Sequence, residues 1–173
     1  MLRLACLIDR MNDRLGAGLA WATLAIVLIQ FAVVILRYAF GLGSIWMQEA
    51  LTYLFASLFM LGSADALRRG AHVRVDIWYR DAPARAKVWV DLIGVLVLLW
   101  PTMLVLGWQA WPYVAKSVAI LEGSAETAGI PAVWLLKCEI LAFVLLLALQ
   151  GLAFVIRGVD ALSRSTEPAG EGT

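Results

Sequence analysis

Histidine occurs once in this chain of 173 residues and cysteine twice, and that scarcity closes several routes to chemistry. Bis-imidazole haem ligation needs two histidines on facing helices, and His72 stands alone in a loop between apolar runs. Cys6 and Cys138 fall on opposite sides of the expected topology, which excludes an internal disulfide and a CxxC centre. There is no phosphate-binding glycine loop, no metal-ligand spacing and no nucleophile–base arrangement. The chain is therefore read as a non-enzyme with no cofactor and no metal site. Charge is also missing from the interior of the apolar runs. Glu49, Asp65, Asp91, Lys137 and Glu139 all lie within the first or last turn or two of a run. A carrier working alone needs an ionisable group well inside a helix. Only Trp100-Pro101 interrupts a run, and a single proline reads as a kink rather than as a broken-helix binding site.

What is present is hydrophobic length. Four apolar runs cover residues 15–36, 46–67, 88–111 and 133–156. Each is long enough to cross a hydrocarbon core, which takes about 20 helical residues. With no water there, each backbone N–H and C=O must pair within its own helix, so the expected fold is all-α and polytopic. The basic residues set the orientation. Eleven of them (Arg3, Arg10, Arg14, Arg68, Arg69, Arg74, Arg80, Arg85, Lys87, Arg157 and Arg164) fall on one side and only Arg37, Lys116 and Lys137 on the other. By the positive-inside rule both termini and the loop between the second and third spans face the cytoplasm. The transmembrane domain is expected over 15–157.

The remaining segments are short. Residues 1–14 interleave Leu4, Leu7, Ile8 and Met11 with Arg3, Asp9, Arg10, Asp13 and Arg14, which suits a short amphipathic helix on the inner leaflet or, alternatively, a frayed polar tail. The first run is too long for a signal h-region and no small-x-small site follows it, so it reads as a retained helix. The stretch 158–173 is expected to be a cytoplasmic, disordered tail. Between the third and fourth spans, 112–131 suggests an interfacial helix and then a Gly/Ser loop. Three small-xxx-small pairs, Gly16/Ala20, Gly18/Ala22 and Gly62/Ala66, offer places for helix backbones to approach. Trp46, Trp78, Trp89, Trp108, Trp111 and Trp134 stand at or near run ends, where indole rings favour the headgroup zone.

Motifs in order along the chain carry a resemblance. Arg37-Tyr38-Ala39-Phe40, Trp46-Met47-Gln48-Glu49 and Tyr53-Leu54 precede Gly62-Ser63-Ala64 and Arg68-Arg69-Gly70-Ala71-His72-Val73-Arg74-Val75-Asp76. Pro131-Ala132-Val133-Trp134-Leu135-Leu136-Lys137 and Leu149-Gln150 follow. With four spans, this pattern resembles the small membrane subunit of tripartite ATP-independent periplasmic (TRAP) transporters. Gln48 departs from it, because many members carry a second acidic residue there.

The resemblance implies a division of labour. A periplasmic solute-binding protein captures an organic anion, often a carboxylate. A large membrane subunit carries it across the inner membrane of a bacterium by an elevator-type movement driven by sodium. The small subunit packs against the large one and widens its scaffold. Partners would be those two proteins and membrane lipids, with no nucleic acid. Candidate subunit or lipid contacts are Arg37, Trp46, Glu49, Arg68, Arg69, His72 and Asp76, although any basic loop at the inner leaflet attracts anionic headgroups. Arg37 and Glu49 flank a short connection and should lie at similar depth, so they are expected to pair, directly or through the large subunit. Two rival readings are a self-sufficient homo-oligomeric carrier or channel and an assembly subunit of an unrelated membrane complex.

Overall fold

The computed structural model describes residues 2–70 and 83–164. Among these the chain is helical throughout, with four helices long and apolar enough to cross a membrane. Helix α1 is Leu2–Phe40 and α2 is Ile45–Arg68. Helix α3 is continuous from 84 to 119 but changes pitch within itself: Ala84–Ile93 is α-helical, Gly94–Leu99 is a π-helical turn, and Trp100–Ala119 is α-helical again. Helix α4 is Val133–Arg164.

Local chemistry sets the helix ends. Gly41 ends α1 in the left-handed region at φ +66°, and the Leu42 N–H reaches back to the Leu36 carbonyl at 2.9 Å. The chain turns back on the helix end here because glycine adopts positive φ without a Cβ penalty. Three residues later Ser44 caps α2, its hydroxyl accepting the Met47 N–H at 3.3 Å. Gly70, at φ +65°, stops α2 in the same way.

Two expected breaks do not occur. At about 1.5 Å per residue the 39 residues of α1 are about 58 Å long, far more than a bilayer core. Residues 2–14 form no separate helix lying on the leaflet; they continue the first span. The reason is tertiary, because the second half of α4 gives them a surface. Ala5 and Ile8 bury against Ala153, with Leu149 and Ile156 around them. Residues 158–164, expected in a disordered tail, therefore belong to α4. Likewise 112–119 extends α3 through Pro112 and is not a separate interfacial helix.

Pro101 does not break α3 either. A proline inside a helix lacks its N–H and crowds the carbonyl four residues back. Here the preceding turn is widened, and the Trp100 N–H bonds to the Val95 carbonyl. This π turn lets the helix pass the proline without ending.

Helix α4 is the hub. It packs on each of the other three, α1 and α2 pack on each other, and α3 packs chiefly on α4. Ala64 of α2, Met103 of α3 and Leu146 and Leu147 of α4 make the main core. Ala64 and Ala153 are wholly buried, so the closest approaches fall on small side chains. Of the small-residue pairs, Gly16/Ala20 and Gly62/Ala66 line the groove between α1 and α2, whereas Gly18 faces open space. Gly151 on α4 is a contact that the motif search missed: a Cβ there would come within 2.8 Å of Leu99 and 2.9 Å of the Trp100 indole nitrogen.

Candidate functional site

Polar side chains gather at the two ends of the bundle, and the ends are built differently. The first lies where α1 and α3 begin and α2 and α4 finish. Asp13 of α1 and Asp65 of α2 face Arg68 and Arg69 there. Arg68 donates to Asp13 at 2.5 Å and to Asp65 at 2.8 Å; Arg69 donates to Asp65 at 2.7 Å and to Asp13 at 3.1 Å. Gly16 makes the geometry possible, since a Cβ there would sit 2.4 Å from an Asp65 oxygen. Asp65 is the most enclosed of the four, its side chain 13% exposed.

A second cluster at this end joins α1 to α4. Asn12 donates its amide hydrogen to Gln150 at 2.6 Å, and both residues are buried. Gln150 in turn donates to Asp9 at 3.0 Å, and Asp9 also accepts from Arg157. An amide buried among apolar helices has few alternatives to such a partner. Sequence reasoning noted Gln150 only as part of a motif. Its weight depends on Asn12, 138 residues earlier, which no local pattern reveals.

At the opposite end the polar groups tie a loop to the helices. Glu49, expected to pair with Arg37 directly or through the large subunit, does not meet it directly. Its carboxylate accepts the Ile130 N–H at 2.5 Å and the Ser124 hydroxyl, both from the 120–132 loop. Arg37 is exposed at the end of α1 and makes no ion pair among the described residues. Equal depth was not enough, because the returning loop offers a backbone donor and a hydroxyl directly over the carboxylate. The loop also closes on itself, with the Ser124 N–H on Ile130 and the Trp134 N–H on Glu122, each at 3.2 Å. Glu122 accepts from Lys137 at 2.5 Å, and the Lys137 ammonium lies 4.1 Å from the Tyr113 ring centre. That hydrogen bond from Lys137 holds the Glu122 carboxyl below its usual range. Leu121 starts the loop at φ 46°, in the left-handed region normally left to glycine. One further carboxylate, Glu139, meets the Ser57 hydroxyl at 2.6 Å between α2 and α4.

Of the candidate residues, Arg68 and Arg69 are brought together, Glu49 stands at the opposite end, and Arg37 and Trp46 are exposed near it, Trp46 being 56% exposed. His72 and Asp76 lie outside the described residues. Trp108 and Trp111 of α3 face outward, 82% and 65% exposed. On a helix of this length they form a surface suited to lipid or to another membrane helix.

Four spans, ends held by polar contacts and interiors without charge define the class: a small polytopic membrane protein. The chain belongs to the DctQ component family of the tripartite ATP-independent periplasmic transporters, which matches residues 26–161. A permease subunit of a transporter is not an enzyme. The chain is similar to the C4-dicarboxylate TRAP transporter small permease protein DctQ of Vibrio cholerae, at 32% identity over 95 residues. That match spans 53% of this chain and 41% of the relative. No solved structure matches.

Proposed function

We propose that this chain is the small permease subunit of a bacterial inner-membrane transporter that takes up an organic anion, of the C4-dicarboxylate class named for the Vibrio cholerae relative. The observation that carries this reading is the absence of charge from the central turns. No Asp, Glu, Lys or Arg occurs in 15–36, 50–64, 92–115 or 140–156, so the spans hold no ionisable midplane site. Solute movement then belongs to a partner. A large membrane subunit carries the anion by an elevator-type movement driven by a sodium gradient, and a periplasmic binding protein delivers it. The present chain widens the static scaffold, with both termini in the cytoplasm in keeping with the basic-residue bias. Arg37 and Trp46, exposed at the periplasmic end, are the proposed contacts with those partners.

Reconstitution tests the proposal. Proteoliposomes holding this chain alone should show no uptake of C4-dicarboxylates. Uptake should appear when the large subunit, the binding protein and an inward sodium gradient are supplied together. Sodium-driven uptake by this chain alone would favour the homo-oligomeric carrier and overturn the scaffold role.

A further inference from the structure

The first turns of α1 carry exposed arginines on a face turned away from the other helices. The carboxylates here are engaged: Asp9 by Arg157 and Gln150, and Asp13 and Asp65 by Arg68 and Arg69. Arg10 and Arg14 have no ion pair among the described residues, and both are exposed. They stand four apart, one turn above the other on the same face of the helix. Arg3, seven residues before Arg10 and also exposed, returns to that face. Leu7, Met11 and Leu15 lie beside the two arginines and line with them a shallow concavity of about 340 Å³. The opposite side of the same turns, Ala5, Ile8 and Asn12, is buried, so the arginine face is the free one.

We propose that this concavity binds an anionic phospholipid, its phosphate between Arg10 and Arg14 and one acyl chain running inward over Met11 and Leu15. Depth and charge select the occupant. Leu15 begins the apolar run, so Arg14 stands at the hydrocarbon boundary and Arg10 about 6 Å further out, in the headgroup zone. An acidic protein segment would satisfy the arginines but not the apolar floor at that depth. The inference also moves lipid binding away from Arg68 and Arg69, whose charge Asp13 and Asp65 already compensate. It does not depend on which leaflet this end faces, nor on the partner subunit.

Native mass spectrometry of the full chain in mild detergent, with phosphatidylglycerol and phosphatidylcholine competing at equal concentration, tests it. The wild type should retain phosphatidylglycerol selectively. The double variant Arg10→Gln with Arg14→Gln should lose about thirtyfold in phosphatidylglycerol affinity, the contribution of two surface arginines. The double Arg→Lys variant should keep most of it, and Leu15→Ala should weaken both lipids. Because both arginines are exposed and have no ion pair among the described residues, helicity and melting of the variants should match the wild type, which separates lost binding from lost folding. Equal retention of the two lipids by the wild type overturns the site. So does undiminished phosphatidylglycerol binding in the double Gln variant, or a loss as large in Arg69→Gln. Normal lipid selectivity of the double Gln variant with weaker co-purification of the large subunit would mark the face as a protein contact instead.

Discussion

The two ends of this bundle use the same residue types to different effect. Where the termini lie, carboxylates and guanidiniums on separate helices meet each other directly, so the contacts hold α1 to α2 and α1 to α4. At the far end the chief carboxylate, Glu49, is spent on a backbone N–H and a hydroxyl of a loop. The first arrangement resists separation of helices; the second orders a connection that has no span of its own. Geometry explains the contrast. Helices α1 and α4 run past their apolar stretches at the first end and lie side by side there, so side chain meets side chain. At the other end α3 and α4 are joined by a loop of 13 residues, 120–132, that must be packed against something.

Substitutions can break this contrast, beginning with the largest effect. Asp65→Ala removes the acceptor that both Arg68 and Arg69 share beneath Asp13. The expected loss is about 2–3 kcal/mol in equilibrium unfolding in detergent–SDS mixtures, short of the 3–5 of a fully buried pair because Asp13 remains. A loss no greater than that of Glu49→Ala would abolish the distinction between the ends.

Gln150→Ala should come next, at about 1–2 kcal/mol in the same measurement, since membrane hydrogen bonds are modest even when buried. Asn12→Ala should cost a similar amount, and the double variant less than the sum, because the residues share one bond. Full additivity would mean that the amides act apart. The same substitutions should raise hydrogen exchange in residues 2–14, whose helix depends on α4 for its buried face.

The smallest global effect is expected at the loop. Glu49→Ala should leave unfolding nearly unchanged while amide exchange at Ser124 and Ile130 rises severalfold, the signature of local opening. Arg37→Ala should leave that exchange untouched. If Arg37→Ala loosens the loop as much as Glu49→Ala, the two residues are coupled after all and the loop is not the sole partner of Glu49.

Much of this architecture was legible in the sequence because a bilayer imposes a length and a composition on anything that crosses it. Four apolar runs with charges gathered between them leave little freedom, and the helices contain all four as expected. The family resemblance was equally local, carried by motifs that can be read in order. Helix ends followed known chemistry at Gly41, Ser44 and Gly70. What could not be read was where helices continue past the membrane. Residues 2–14 have the alternation of a surface helix yet pack on α4 through Asp9, Asn12, Gln150 and Arg157, and 158–164 have the polarity of a tail yet continue that helix.

Sequence by itself determined the number of spans, their approximate limits, the uncharged interior and the family, since each depends on residues close together in the chain or on bulk transfer into hydrocarbon. Only the tertiary structure decided which partner each polar group takes. Glu49 finds Ile130 rather than Arg37, Arg68 finds Asp13 as well as Asp65, and Asn12 finds Gln150. A hydrogen bond is decided within about 3 Å, and those few ångströms are set by how the helices cross, not by how far apart the residues stand in the chain.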